Sequence, residues 1–405
     1  MGMQRQAQPI DRKVMREMNQ NTLLNLIRAH APISRTQLKI LSGLSLGTIV
    51  GITTTLIESQ LVVETGVAES TGGRKAGLLE INPEGGYTIG INLLEREIVG
   101  ALINLHGLVL YEETWPASLR NNATHAVDII AEGVEAFIEH SGVERSKIIG
   151  LGCGISGPVN MVMGINVDSW ILNWHNVELS APLTERLSIP VTIDNSVKCL
   201  ASYEKLYGYG QQFQDFLIVT LGRGLGLAVV IRGEVFRGSQ GIGAEFGHIP
   251  FNVTGRQCEC GNQGCLEAYV SDHSIFSTYH ELRSEPDTVK PGDIGAPEIN
   301  NLFLRAQQGD MQALQAFELT GTYLGIGLAN LVNLFNPQCI IIKGGEGNRV
   351  DLLLGSMKST MKKHIFSQLG NNLTLIVEPE TTMINWARGA GCLVLQNFFS
   401  APTKI

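Results

Sequence analysis

The chain has 405 residues, 44% hydrophobic and 17% charged, which is ordinary folded material for roughly two to four domains and excludes a disordered or fibrous chain. Apolar runs such as 338–344 fall far short of the ~18 residues a membrane span needs, and the N-terminus lacks a basic-then-apolar signal pattern. A cytoplasmic protein without membrane insertion is therefore expected. Charge is split unevenly: residues 1–82 hold nine Lys and Arg against six Asp and Glu, a net +3, so the remainder must carry −11 for the whole to reach −8. A basic head on an acidic body suits a polyanion reader joined to a sensor of neutral ligands, although lopsided charge also serves plain solvation.

Within residues 1–82, Asn21 to Ala31 places Leu23, Leu24 and Ile27 on one helical face, and Pro32 ends the helix. Ser34-Arg35-Thr36-Gln37 spells a capping box that opens a second helix expected to bury Leu38 and Leu41. After a Ser42-Gly43-Leu44 turn, Ser45 caps a third helix with Ile49, Ile52 and Leu56 inward and Leu46, Gly47, Thr48, Gly51 and Thr55 outward. Two strand-like runs, 61–63 and 78–81, flank a Gly-rich loop carrying Arg74 and Lys75. Together these predict a winged helix-turn-helix domain that binds double-stranded DNA, with Ser34, Arg35, Ser45, Leu46, Gly47 and Thr48 at the groove and Arg74 and Lys75 on the wing. A three-helix protein-interaction module is the alternative, with Ser45 and Thr48 only capping.

From Tyr87 the pattern turns to strands, 87–92, 98–105 and 109–115, with His106-Gly107 as the turn. The meander recurs at 216–221, 227–231 and 235–237. Such duplication predicts two α/β lobes facing across a cleft, the architecture of actin-like and sugar-kinase folds.

His248 is followed, after nine intervening residues, by Cys258-Glu259-Cys260-Gly261-Asn262-Gln263-Gly264-Cys265. One imidazole and three thiolates make a closed tetrahedral shell, so His248, Cys258, Cys260 and Cys265 are expected to hold a structural Zn²⁺. The other four cysteines, Cys153, Cys199, Cys339 and Cys392, have no such partners in sequence and read as packing residues. Clustered thiols also suit a reducing compartment better than a disulfide framework.

The run Gly238-Ser239-Gln240-Gly241-Ile242-Gly243-Ala244-Glu245-Phe246-Gly247-His248, followed by the cysteine cluster and Leu266-Glu267, closely resembles the signature of the ROK family of repressors, open reading frames and kinases. Asn333 to Pro337 and Ile340 to Gly345 are similar to the family's segment lining the adenine side of the cleft. The resemblance spans essentially the whole chain, and the N-terminal head resembles that of the family's xylose-, N-acetylglucosamine- and glucose-type repressors. It implies a first lobe from 83–195 with 381–405, and a second lobe from 196–380 carrying the zinc site and a dimerisation surface. It also implies that Asn195, Glu245, His248 and Glu267 contact a sugar; carboxylates accept from several hydroxyls at once, and a metal-fixed imidazole orients them. A purely structural role for Glu245 and Glu267 is the alternative.

Three departures from the family's kinases bear on activity. Their first-lobe Asp-x-Gly-Gly-Thr turn is here Asn92-Leu93-Leu94-Glu95-Arg96, and the second-lobe Gly-Thr-Gly turn is Gly222-Arg223-Gly224. The Asn-Asp pair that holds the catalytic base becomes Asn195-Ser196. A register shift of two offers Asp194 instead, but displaced by ~6–7 Å along the strand. In the sugar pocket Ile171 takes the place of an Asn, and Gly154 to Pro158 reorders the family's Gly-x-Pro-Gly turn.

The expectation is thus a catalytically inactive ROK body and a DNA-binding repressor of carbohydrate genes. Its partners would be operator DNA, a second copy of itself as dimer or tetramer, and a small carbohydrate effector. The alternatives are a ROK-type ATP-dependent sugar kinase and a repressor controlled by a transporter subunit.

Overall fold

The computed structural model describes residues 12–67, 77–286, 296–344, 350–378 and 381–400. The head begins with α1 (Arg12–His30), nine residues earlier than the apolar spacing suggested, followed by the short β1 (Ile33–Ser34), α2 (Arg35–Ser42) and α3 (Leu46–Glu58). Both halves of the capping box form: Ser34 Oγ accepts from the Gln37 N–H, and Gln37 Oε1 accepts from the Ser34 N–H. Gly43 ends α2 in the left-handed region at φ 69°, where a Cβ would be strained. Leu38, Ile49, Ile52 and Leu56 are buried, as their spacing requires. Leu41, expected in the core, is 51% exposed. α2 has only two turns, and one buried position suffices to seat it on α1 and α3. β2 (Val62–Val67) and β3 (Gly77–Ile81) pair antiparallel, and β1 adds to the edge of β3. The wing tip with Arg74 and Lys75 lies outside the described residues.

The body holds two five-stranded sheets. The first uses β4 (Tyr87–Leu93), β5 (Glu97–Asn104), β6 (Val109–Pro116), then α4 (Ala126–Ser141) and β7 (Ile148–Ile155). A hairpin layer follows, β8 (Val159–Asn160), β9 (Ile165–Ser169) and β10 (Trp174–Glu178), then α5 (Ser180–Leu187) and β11 (Val191–Asn195). Strand order is β11-β7-β4-β5-β6. After α6 (Ser196–Tyr207) the second sheet repeats the meander with β12 (Phe216–Leu221), β13 (Leu225–Ile231) and β14 (Glu234–Val235). The third strand is shorter than 235–237 suggested, because the chain leaves the sheet at Phe236 to enter the Gly-rich loop. Then come α7 (Glu267–Val270), α8 (Asp272–Leu282), α9 (Ala296–Gln307), α10 (Met311–Phe335), β15 (Cys339–Lys343), α11 (Val350–His364), β16 (Thr374–Glu378) and α12 (Met383–Phe399). The second sheet runs β14-β13-β12-β15-β16, the same order of three antiparallel strands continued by parallel ones.

α12 closes the molecule by lying on the first sheet, where side chains are absent to admit it. A Cβ on Gly90 would stand 1.9 Å from the Ala387 carbonyl, and one on Gly152 1.9 Å from that of Ala390. The same helix carries Leu395 and Phe399 into a core shared with Leu23, Leu24 and Ile27 of the head. Leu393, Leu395 and Phe399 are therefore packing residues, as a C-terminal helix on the first lobe requires. Among the described residues no single helix is long and apolar enough to cross a membrane.

Candidate metal centre and effector cleft

His248 ends a one-turn helix after the Gly-rich loop, and the cysteine loop folds back on it through Gly261 and Gly264, both at positive φ. The ligand atoms of His248, Cys258, Cys260 and Cys265 all lie within 4.8 Å of one another. Cys260 Sγ and Cys265 Sγ are 3.7 Å apart, and Cys258 Sγ is 3.8 Å from His248 Nδ1. Thiolates at the usual Zn–S length of about 2.3 Å make a tetrahedron with edges of about 3.8 Å, so the donor set fits zinc. Burial pushes the Cys258 thiol well above its ordinary value and that of Cys265 up to about 11, so thiolates would need a cation's charge here. Arg256, which the cysteine spacing gave no hint of, clamps the loop: it bonds both oxygens of Glu281, the Ala268 and Ser274 carbonyls and Thr278, and lies over the Tyr269 ring.

Glu267 braces this centre. Its Oε2 accepts from the Leu225 N–H at 2.9 Å, and its Oε1 lies 3.8 Å from Cys258 Sγ. Glu245 is solvent-accessible yet recessed, and loss of hydration raises its carboxyl above the ordinary range, with Lys198 and His248 opposing. Asn195 caps α6, its Oδ1 accepting from Val197 and Lys198 N–H groups, while its Nδ2 donates to the Gly157 carbonyl at 2.9 Å. The buried Lys198 ammonium donates to the Gly241 carbonyl and lies within reach of the Asp194 and Glu245 charges, while Asn195 accepts from the Lys198 backbone N–H.

At the two positions where the resemblance implies carboxylates stand neutral groups bonded to each other: Ser196 Oγ donates to Asn92 Oδ1 at 3.1 Å. Asp194, the alternative base, is fully buried with its carboxylate taken up by Arg237 at 2.9 Å and the Asn195 N–H at 2.8 Å. Burial raises its carboxyl, against the pull of Arg237 and Lys198. Where the resemblance implies a sugar-binding Asn, the Ile171 carbonyl accepts from Arg120, and Asn173 Nδ2 donates to Asn121 Oδ1. A cavity of about 280 Å³ beside the metal centre has Arg223 and Arg256 facing Glu259, Glu267 and Glu281, mixed charge with no net pull on phosphate.

In the head, Ser34 is buried and works as a cap, and Arg35 is drawn inward to Thr53 Oγ1 at 3.0 Å and Glu64 at 3.5 Å. Thr55, expected outward, is half-buried under Arg16. Ser45 caps α3 and bonds Thr48 Oγ1 at 2.9 Å, leaving Leu46 and Gly47 exposed at the start of that helix.

The sequence profile described as the ROK family matches residues 88–397, more than half of the chain. The chain belongs to the ROK family. A ROK relative, the xylose repressor of Bacillus subtilis (strain 168), is 30% identical over 395 residues, covering 97% of this chain and 99% of that one. Among solved ROK structures, the crystal structure of a transcriptional regulator described as a homologue of the Escherichia coli MLC protein superposes with a TM-score of 0.82 at 26% identity, covering 95% of this chain and 97% of that chain. The ROK glucokinase of Streptomyces griseus, solved with glucose and AMPPNP, superposes at 0.65 with 25% identity. All of that kinase covers 77% of this chain, against 95% for the regulator.

Proposed function

We propose that the chain is a sugar-responsive transcriptional repressor of carbohydrate genes whose ROK body binds an effector without phosphorylating it. The observation that carries this reading is the Ser196 to Asn92 hydrogen bond, a neutral pair where the resemblance places carboxylates, in a chain that matches a repressor over 97% of its length. Operator contacts fall to the exposed start of α3, Ser45, Leu46, Gly47 and Thr48, with Arg74 and Lys75 of the wing gripping phosphate or the minor groove. Ser34 caps α2, and Arg35 braces α3 through Thr53.

A homodimer would place two heads on a pseudo-palindromic operator, each half-site matching one copy. The effector sits between the lobes against Glu245, Asn195 and His248, with Glu267 bracing the metal loop and zinc held by His248, Cys258, Cys260 and Cys265. Zinc there supplies fixed geometry only. Effector-dependent lobe closure reaches DNA through α12, which lies on the first sheet and shares a core with α1. The relatives' naming makes xylose the first effector to test. A DNA reader of this kind works in the cytoplasm; control by a transporter subunit remains an outcome that a pull-down distinguishes.

The deciding experiment is fluorescence anisotropy of the purified chain on the DNA upstream of its own operon, with and without xylose, glucose and N-acetylglucosamine. Salt-sensitive, sequence-selective binding released by one sugar is expected. Absence of selective binding together with ATP-dependent phosphorylation of any of these sugars overturns the reading.

A further inference from the structure

Arg223 stands in the turn between β12 and β13, and Glu95 in the turn after β4. By the resemblance these are the two turns that hold a nucleotide's phosphates in the family's kinases. Here Arg223 Nη1 lies 3.2 Å from Glu95 Oε2, so an ion pair joins the turns across the cleft. The pairing extends on both sides. Arg120 pairs with Glu95 and donates to the Ile171 carbonyl at 3.0 Å. Arg223 Nη2 lies 3.4 Å from Glu259, between two of the candidate zinc ligands. Charges therefore alternate from the first lobe to the cysteine loop: Arg120, Glu95, Arg223, Glu259.

Backbone contacts fix the two anchor points. The Leu119 N–H donates to the Glu95 carbonyl at 3.1 Å, and the Asp272 N–H donates to the Gly222 carbonyl at 2.9 Å. A Cβ on Gly224 would come 2.8 Å from Glu267 Oε2, so the second-lobe turn is pressed onto the metal brace. Only a long side chain reaches the other lobe from there, and a planar guanidinium serves two carboxylates at once. Both partners are about a quarter exposed, 28% for Arg223 and 25% for Glu95, so the pair is partly desolvated yet open to competing salt.

We propose that Glu95 and Arg223 are an interlobe latch that stands in for a bound nucleotide, holding the cleft closed with no phosphate present and setting how readily it opens to admit an effector. The latch concerns the body alone. Its test uses neither DNA nor sugar, so its failure and that of the repressor reading are separable.

The test is a double-mutant cycle on the full chain, purified without chelator. Spin labels on unnatural amino acids at exposed Glu132 of α4 and Lys358 of α11 report the distance between lobes. Glu95→Gln and Arg223→Gln are each expected to lower the closed-to-open ratio about two- to fivefold, and the double variant no further than either single. Raising KCl should open the wild-type chain and leave the double variant unmoved. Arg223→Lys keeps the charge and should retain more closure than Arg223→Gln, which guards against misreading a folding defect. Unchanged distances in both single variants, fully additive effects, or a Lys variant as open as the Gln variant would each overturn the proposal.

Discussion

Ser196 Oγ and Asn92 Oδ1 lie 3.1 Å apart, joining the first turn of α6 to the end of β4 across 104 positions of sequence. The bond satisfies two polar groups, and Asn92 is buried. Ser196→Ala should leave the Asn92 carbonyl without its donor and lower stability by about 1–3 kcal/mol, read by urea denaturation. Ser196→Asp should yield no sugar phosphorylation in a coupled ATP assay, because Glu95 and Arg223 still occupy the turns that the resemblance assigns to phosphate. Turnover in that variant would show that a single carboxylate was all the cleft lacked.

Removing the metal should unfold the loop from His248 to Glu267 before the rest of the body. Zinc content after purification without added metal is expected to be stoichiometric, and Cys260→Ser should lower it along with the melting temperature. Because protons compete with zinc for three thiols and an imidazole, metal should be released on acidification. Full folding with no zinc by elemental analysis would refute the structural role.

Arg28 ties head to body. It lies 5.5 Å over the Phe399 ring and donates to the Leu206 carbonyl at 3.2 Å, while Asn25 donates to the Phe399 carbonyl. Arg28→Ala should weaken this seam by about 1–3 kcal/mol and raise hydrogen exchange in α1 without altering the lobes. Effector release of DNA should weaken with it. An unchanged exchange pattern would mean the apolar seam alone holds the head.

Glu245 has its carboxyl raised above the ordinary 4.5, chiefly by partial loss of hydration. The folded chain therefore holds that proton more tightly than the unfolded chain, so this residue's contribution to stability is full below pH 4.5 and is lost as pH rises through the raised value. Glu245→Gln should flatten the fall in stability from pH 4.5 toward neutrality and abolish the sugar response. Parallel urea titrations at acidic and neutral pH on both proteins check the sign. A steeper fall in the variant would contradict it.

Local chemistry was enough to place several of these features from sequence. Ser34 and Gln37 form the capping box their spacing spells, and the four candidate zinc ligands converge because glycines at 261 and 264 let a short loop turn back. The substitutions at 92, 95, 196 and 223 were visible as departures, but what the new side chains do was not. Leu41 shows the limit in the other direction: helical spacing assigns it to the core, yet it is left half-exposed among the described residues.

Sequence by itself determined the family, the head on a two-lobed body and the grouping of one histidine with three cysteines, because each is written in local motifs along the chain. Only the tertiary structure decided that Ser196 bonds Asn92, that Arg223 reaches Glu95, and that Arg28 meets Phe399. Those pairs are more than a hundred residues apart and carry no periodicity. Which distant group a side chain meets is set by how the sheets and α12 pack, and that geometry exists only once the lobes have folded against each other.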